Sequence, residues 1–269
     1  MTSAIAYEVA AFNTATASEN RIHDDSVAKQ FGFEGGLVPG VDVYAYMTRA
    51  AVIRFGAAFL DRGMMECRFG KPLYDGETAL IEADDDADGR LAIGLTARGQ
   101  SLATATAWLG DPAEPPPPSQ YPAAELPAPD ARPPASAEAL PEGRALGTIR
   151  EVADAAGQAA YRADVRETHP IYDETGAVHP GFLLRRANSA LKDNVRLGPW
   201  IHVGSTVRHF APLQAGAELE TRSKVARCYD HKGHGFVELD VALFSDGRAV
   251  AHVDHVAIYE PRQIRKKIA

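Results

Sequence analysis

The chain has 269 residues, of which 45% are hydrophobic and 24% are charged. This composition is typical of folded proteins and excludes wholesale disorder, collagen and coiled coil. At about 100–200 residues per domain, the length predicts two compact units or one large one. Thirty-six acidic and 28 basic residues give a net charge of −8, which disfavours nucleic acid as a partner.

Cysteine usage and apolar segments predict the compartment. Cys67 and Cys228 lie far apart, with no CxxC motif and no histidine at metal-ligand spacing. We therefore expect two buried thiols in a reducing compartment and no metal site. No stretch approaches the roughly 20 apolar residues that a membrane span needs. The first basic residue is Arg21, so the charged start of a signal peptide is missing. Together these features predict a cytoplasmic protein without a membrane partner.

Proline predicts where the chain divides. Eleven of the 18 prolines lie between Pro112 and Pro141, mixed with Ala, Glu and Asp. Such a stretch forms neither a helix nor a central strand, and it has almost nothing to bury. We expect residues 112–143 to be an extended surface linker between one unit at residues 1–111 and another at residues 144–269.

The two flanks of this linker share a pattern of glycines, prolines and aromatic residues at an offset of about 140 residues. An offset that persists over several positions predicts duplication of one unit. The matched pairs are Gly40 and Gly181, Phe69 and Phe210, Pro72 and Pro212, and Gly76 and Gly216.

Each half has the same predicted order of elements. An apolar helix follows the Pro-Gly pair, and strands separated by turn signals come after it, with an extra strand before the helix. This order is an α+β layer in which an antiparallel meander covers a buried helix. The first half has a helix at residues 41–60 and strands at residues 78–83, 91–97 and 102–108; the second has a helix at residues 182–191 and strands at residues 218–226, 236–244 and 249–259.

This order resembles the hotdog fold, and two copies in one chain would form a tandem, or double, hotdog. Three segments carry a more specific resemblance: SENRIHDD at residues 18–25, FGF at residues 31–33 and GLVPG at residues 36–40. Together they resemble the MaoC-like hydratase and dehydratase family, which includes R-specific enoyl-CoA hydratases, 3-hydroxyacyl-thioester dehydratases and mesaconyl-CoA hydratases. The family signature runs Gly-Asp-x-Asn-Pro-Ile/Leu-His-x-Asp, then Gly-Phe, then Val-His-Gly.

The resemblance implies the roles of the motif residues. Asn20 and His23 match the signature, whereas Ser18 stands at the catalytic aspartate position. We expect His23 to be the catalytic acid and base, with Ser18 and Asn20 assisting it, because the ordinary pKa of histidine is near neutral pH. Val38, Pro39 and Gly40 would bind substrate, since a helix N-terminus favours the negative charge that develops on a thioester oxygen.

The second half departs further from the signature. Glu167 stands at the aspartate position and Tyr172 at the histidine position, and His179 precedes the Pro-Gly pair. We expect these three residues to line the substrate site, with Glu167 also a candidate for the missing carboxylate.

Three function classes stay open. The leading one is a hydro-lyase acting on an acyl-CoA or acyl-carrier-protein thioester, with no cofactor apart from the coenzyme A of the substrate. A hotdog acyl-CoA thioesterase would use Asp42, and a pseudo-enzyme would bind acyl thioesters without turnover.

Glu19 is a candidate replacement carboxylate, and Asp25 is expected to cap the next helical turn. A homodimer of double-hotdog chains is one expected assembly.

Overall fold

The computed structural model describes residues 4–16, 19–30, 32–263 and 265, apart from the Arg21 side chain. Ten strands form one antiparallel sheet: β1 (Ile5–Ala10), β2 (Gly63–Phe69), β3 (Thr78–Asp85), β4 (Leu91–Ala97), β5 (Gln100–Leu109), β6 (Ala145–Val152), β7 (Ile201–His209), β8 (Glu218–His231), β9 (His234–Ser245) and β10 (Arg248–Glu260). The helices are α1 (Asp25–Gln30), α2 (Gly40–Phe55), α3 (Ala57–Arg62), α4 (Ala155–Asp164), α5 (Ile171–Thr175) and α6 (Pro180–Lys192).

Counted inward from each edge of the sheet, equivalent strands of the two halves follow in the same order. It runs β1-β3-β4-β5-β2 and then β7-β10-β9-β8-β6, so each half contributes five strands in an equivalent arrangement. The halves join where β2 pairs with β7. One long helix per half, α2 and α6, packs against the inner face of the sheet. The predicted α+β double hotdog is therefore confirmed, and the division at residues 111 and 144 stays a prediction.

Equivalent backbone hydrogen bonds recur in the two halves. The Val38 N–H donates to the Leu73 carbonyl at 2.8 Å, and the Val178 N–H donates to the Leu213 carbonyl at 2.8 Å. Both bonds tie the segment before the central helix to the turn that precedes the sheet meander. The sequence repeat thus corresponds to a repeated structural unit.

The first central helix is shorter than predicted. A single helix over residues 41–60 is wrong, because α2 ends at Phe55 and α3 begins at Ala57. Gly56 lies between them with φ of 58°, a conformation that glycine adopts at little cost. Its N–H donates to the Val52 carbonyl and closes the last turn of α2. The apolar composition of α2 agrees with its position, since most of its residues are buried.

The central helices approach each other closely near the start of α6. A methyl group on Gly181 would lie 2.7 Å from the Ala45 Cβ atom and 2.4 Å from the Tyr161 hydroxyl oxygen. Those separations are shorter than van der Waals contact, so only glycine fits at this point without displacing the helices.

The proline-rich segment buries more than its composition suggests. It contains two short 3₁₀ turns, Pro118–Gln120 and Pro129–Ala131, and is otherwise extended. Tyr121 and Leu140 are buried. The Tyr121 hydroxyl donates to Asp240 at 2.6 Å, and its ring contacts Phe244 at 6.0 Å between centroids. The rest of residues 112–143 is exposed or half-buried, as expected of a surface segment, and Tyr121 anchors it to the second half.

Both cysteines lie in strands of the sheet. Cys67 is buried in β2 as expected, whereas Cys228 in β8 is half-buried, and neither forms a disulfide. Among the described residues, every helix is too short or too polar to cross a membrane.

Three histidines are buried in β7 and β10. His202, His209 and His255 are 7%, 3% and 0% exposed. Burial lowers the pKa of His209 to about 4 and that of His255 to about 3. Burial and the nearby His255 hold the pKa of His202 well below its ordinary value. All three rings are therefore neutral in the native protein at pH 7.

We expect Gly181→Ala to lower the free energy of unfolding by about 1–3 kcal/mol, because it overpacks the helix contact. Gly94→Ala is the matched control, since a methyl group there meets nothing within 4 Å. Urea denaturation of both variants tests this. Equal stability of the two variants would contradict the close helix contact.

We expect stability to fall as the pH drops below about 6.5. There the unfolded chain protonates these histidines while the native chain does not, and each contributes about 1.4 kcal/mol per pH unit. Three together give a slope on the order of 4 kcal/mol per unit between pH 6 and 4. Urea denaturation at pH 6.0 and 4.5 measures it, and His209→Leu should reduce the slope by about one third. A free energy of unfolding that is constant over this interval would contradict the prediction.

Candidate active site

The loop that carries His23 is held by two adjacent aspartates with different tasks. Asp24 caps α1, because its Oδ1 atom accepts the backbone N–H groups of Ser26 at 3.0 Å and Val27 at 3.1 Å. Asp25 instead accepts the Gly36 N–H at 2.6 Å. The expectation that Asp25 caps the helix is therefore wrong, since Asp24 precedes the first turn. A methyl group on Gly36 would lie 2.2 Å from the His23 carbonyl oxygen, so glycine is required there.

The hydrogen bonds of His23 define its tautomer. Nδ1 donates to the Leu37 carbonyl at 2.6 Å, because a carbonyl oxygen can only accept. Nε2 therefore carries no proton in the neutral ring, and the Asn20 amide lies 3.4 Å from it as a donor. Burial lowers the pKa of His23. The ring is thus neutral at pH 7, with Nε2 available as a base.

Asn20 connects this loop to the second half of the chain. Its side-chain amide donates to the Trp200 carbonyl at 3.1 Å, and its Oδ1 atom accepts the Trp200 N–H at 3.3 Å. Both contacts are buried, where each hydrogen bond contributes more to order than it would at the surface. The structure therefore brings Asn20 and His23 together, and it places Trp200 of the other half beside them.

Two cavities meet at His23. The first, of about 170 Å³, is called here the apolar cavity. The second, of about 360 Å³, is called the polar cavity. Asn20, His23, Pro39, Asn188 and Trp200 line both. The apolar cavity is further lined by residues that include Val38, Gly40, Val43, Phe69, Leu73, Leu102 and His202, and the polar cavity by residues that include Thr14, Glu19, Arg185 and Lys192.

Helix α2 begins at this junction without a side-chain cap. Its N-cap residue is Pro39, which has no side-chain acceptor for the first N–H groups. Gly40 and Val41 are the first two helical residues, and such N–H groups have no acceptor within their own helix. Gly40 lies on the wall of the apolar cavity and Val41 on that of the polar cavity. The positive end of the helix is therefore open to a ligand.

At the equivalent start of α6, a side chain of the protein itself binds a free N-terminal N–H group. His179 caps the helix, because its Nδ1 atom accepts the Gly181 N–H at 3.0 Å. Its Nε2 atom lies 3.3 Å from Glu167, which also receives Arg49 of α2 at 3.0 Å. The Tyr172 ring packs on the His179 ring at 4.8 Å between centroids.

Glu167 is held in its charged form by this group of residues. Burial alone would raise its pKa, but the hydrogen bonds from His179 and the His169 N–H, together with the charge of Arg49, lower it to about 2. Glu167, Tyr172 and His179 thus lie together, and none is among the described residues that line the two cavities. The structure does not bring these predicted substrate-binding residues to His23.

Two candidate carboxylates lie in the first half, and Ser18 lies outside the described residues. The Glu19 side chain is 79% exposed at the edge of the polar cavity, with Arg132 at 3.2 Å. Asp42 is fully buried, where it accepts from Arg185 at 2.7 Å and from the Thr14 hydroxyl at 2.5 Å.

The sequence did not indicate which residues of the second half line the cavities. Asn188, Trp200 and His202 come from the second half, far along the chain from His23. The repeat predicts that the halves pack together, but nothing in the sequence indicates which of their residues meet. A histidine on a strand was the one available signal for His202.

Solved structures provide a comparison for this fold. No protein-family model matches the sequence, and no curated protein sequence matches it. The structure is similar to a MaoC domain protein dehydratase from Chloroflexus aurantiacus, with 13% identity, a TM-score of 0.61 and coverage of 96% of this chain and 95% of that chain. A conserved hypothetical protein of Mycobacterium tuberculosis with a double hotdog fold gives 16% identity, a TM-score of 0.62 and 96% coverage of both chains.

Proteins with another activity share the architecture. An oleoyl thioesterase from Lactobacillus plantarum has 10% identity, a TM-score of 0.53 and coverage of 96% of this chain and 97% of that chain. At such identities the likeness concerns the fold. The resemblance to MaoC-like dehydratases is confirmed at that level, and this chain has the double hotdog fold that those proteins share.

Proposed function

We propose that this chain is a hydro-lyase that adds water to an enoyl-thioester or removes it from a 3-hydroxyacyl-thioester. One observation carries the proposal: an unprotonated Nε2 atom on His23 beside the uncapped start of α2. Water addition needs a base for the water proton, an acid for Cα and donors for the oxygen on which enolate charge develops. The cleft offers groups for all three.

His23 would perform both proton transfers. Its Nε2 atom takes a proton from water as the oxygen bonds to Cβ, and the imidazolium then gives a proton to Cα. Dehydration runs through the same steps in reverse. The N–H groups at the start of α2 would stabilise the negative thioester oxygen. Asn20 would orient His23 and the water, and Ser18 stays a predicted partner for that water.

The two cavities suggest how the substrate lies. The acyl chain would enter the apolar cavity, whose walls include Val43, Leu73 and Leu102. The carrier arm would leave through the polar cavity, where the half-exposed Lys192 is the basic residue outside the Asp42–Arg185 pair. That arrangement suits a coenzyme A thioester, because its phosphates favour cations.

The environment of Asp42 favours this proposal over a thioesterase. A hotdog thioesterase would need Asp42 to act on the substrate or on water. Its two carboxylate oxygens instead accept from Arg185 and Thr14, and the side chain has no exposed surface. Removing it from this pair would leave Arg185 without its buried partner.

We expect His23→Asn to lower the rate of crotonyl-CoA hydration by about 100-fold or more, the usual contribution of a general acid–base. An asparagine amide can keep the donor to the Leu37 carbonyl while it removes the basic Nε2 atom. The free energy of unfolding should therefore change by about 1 kcal/mol or less. Enoyl absorbance and free thiol, recorded in one cuvette, give the measurement.

Tyr172→Phe is the matched control, because Tyr172 stands at the equivalent position in the other half and its hydroxyl has no hydrogen-bond partner among the described residues. It should retain wild-type turnover. Thiol release in place of enoyl loss would support a thioesterase, and ligand binding with neither change would support a pseudo-enzyme. Full activity of the His23→Asn variant would contradict the role of His23.

A further inference from the structure

Strand β7 contains a bulge that turns His202 and Ser205 toward the same side of the sheet. In its pairing with β10, Gly204 lies opposite Val256 and His202 lies opposite Ala257, so Val203 is an extra residue. Residues three apart on a regular strand face opposite sides. Here both His202 and Ser205 are buried, at 7% and 4% exposure. Bulges are frequent beside active sites, where they re-aim a side chain.

His202 ends a hydrogen-bonded chain of three side chains. Its Nε2 atom lies 2.8 Å from the Ser205 hydroxyl, which lies 3.1 Å from Nδ1 of His255. The outer nitrogens, His202 Nδ1 and His255 Nε2, have no partner among the described residues. Buried polar atoms are seldom left unpaired, so an orphan nitrogen requires an explanation.

The orphan Nδ1 atom of His202 lies beside the start of α2. A methyl group on Gly40 would be 3.0 Å from it, and the Phe69 ring packs on the His202 ring at 4.7 Å between centroids. His202 and Gly40 both line the apolar cavity, together with His23. A ligand in the apolar cavity that reaches the start of α2 would therefore also lie beside the His202 ring.

We propose that His202 is a second catalytic residue of this cleft, whose neutral ring donates its Nδ1–H to the thioester carbonyl, with Ser205 and His255 as positioning residues that set its tautomer. This inference rests on the proposed function, since it names a further donor for the same substrate.

The number of protons shared by His202, Ser205 and His255 explains the role of the tautomer. With both rings neutral, these three side chains hold three exchangeable protons in one of two arrangements. Either Nδ1 of His202 carries a proton and Nε2 of His255 does not, or the reverse. A carbonyl only accepts hydrogen bonds, so a bound thioester selects the first arrangement. In it, His255 donates to Ser205 and Ser205 donates to Nε2 of His202.

Both proton arrangements require neutral histidine rings, and burial keeps the rings neutral. It lowers the pKa of His255 to about 3, and together with His255 it lowers that of His202. The donor is thus an uncharged N–H rather than an acid, and it is present across the neutral pH range. Such a donor stabilises developing charge without losing its proton.

Infrared spectroscopy of bound butyryl-CoA labelled with ¹³C at the carbonyl tests the proposal. This saturated thioester cannot be hydrated, so the measurement does not depend on turnover. We expect His202→Leu to raise the carbonyl stretching frequency relative to wild type, because a donor is lost. His202→Asn should restore part of the shift through its amide, and Ser205→Ala should give a smaller rise and serves as a second variant that preserves the ring.

His209→Leu is the matched control, since His209 is a buried histidine of the same strand with an orphan Nε2 atom, and it is not among the described residues that line the cavities. Its carbonyl frequency should equal that of wild type. A carbonyl frequency that is unchanged in His202→Leu, His202→Asn and Ser205→Ala would overturn the role of His202 and leave the proposed function standing. Failure of wild type to bind butyryl-CoA would overturn the proposed function and this inference with it.

Kinetics provide a second readout. We expect His202→Leu to lower kcat for crotonyl-CoA hydration by roughly 100-fold with little change in KM, as the loss of one oxyanion donor does. His202→Asn should recover part of kcat. A rise in KM with unchanged kcat would show that His202 only shapes the cavity, and would overturn its catalytic role.

Discussion

Strands β2 and β7 hold the two halves in one sheet, and the position of the cleft depends on their pairing. Cys67 lies directly opposite Ser205, and Met65 opposite Val207, with all four side chains buried. This register carries the end of β2, at Phe69, against His202 of β7. Burial of apolar groups on both strands makes a shifted register costly, because a one-residue slip would turn each set of side chains outward. The cleft is therefore shared by both halves.

The two copies of the repeat differ most at the N-termini of their central helices. In the first copy Pro39 leaves the helix start uncapped and His23 keeps an unprotonated nitrogen. In the second copy His179 caps the helix and binds Glu167, which is also neutralised by Arg49. The Glu167 carboxylate is thus held in an internal ion pair. The repeated unit thus has one open helix N-terminus and one that the protein itself caps.

Local sequence patterns predicted the fold, whereas they could not predict which residues of the two halves contact each other. The meander strands follow from alternation and turn residues, and the repeat follows from spacing. The break at Gly56 was missed because an apolar segment does not reveal where one glycine adopts a positive φ. Pairing of Asn20 with Trp200 spans 180 residues of sequence. The bulge at Val203 reverses the alternation of β7, so period-two reasoning places His202 on the wrong face relative to Ser205.

We propose that each chain has one acyl-thioester site, beside His23, and that the equivalent place in the second half is closed. Binding stoichiometry tests this most directly. Isothermal titration with the ketone analogue of butyryl-CoA, in which a methylene group replaces the sulfur, measures it without turnover. We expect one ligand per chain. Two ligands per chain would contradict the closed second site, and the absence of binding would contradict the assignment of the cleft.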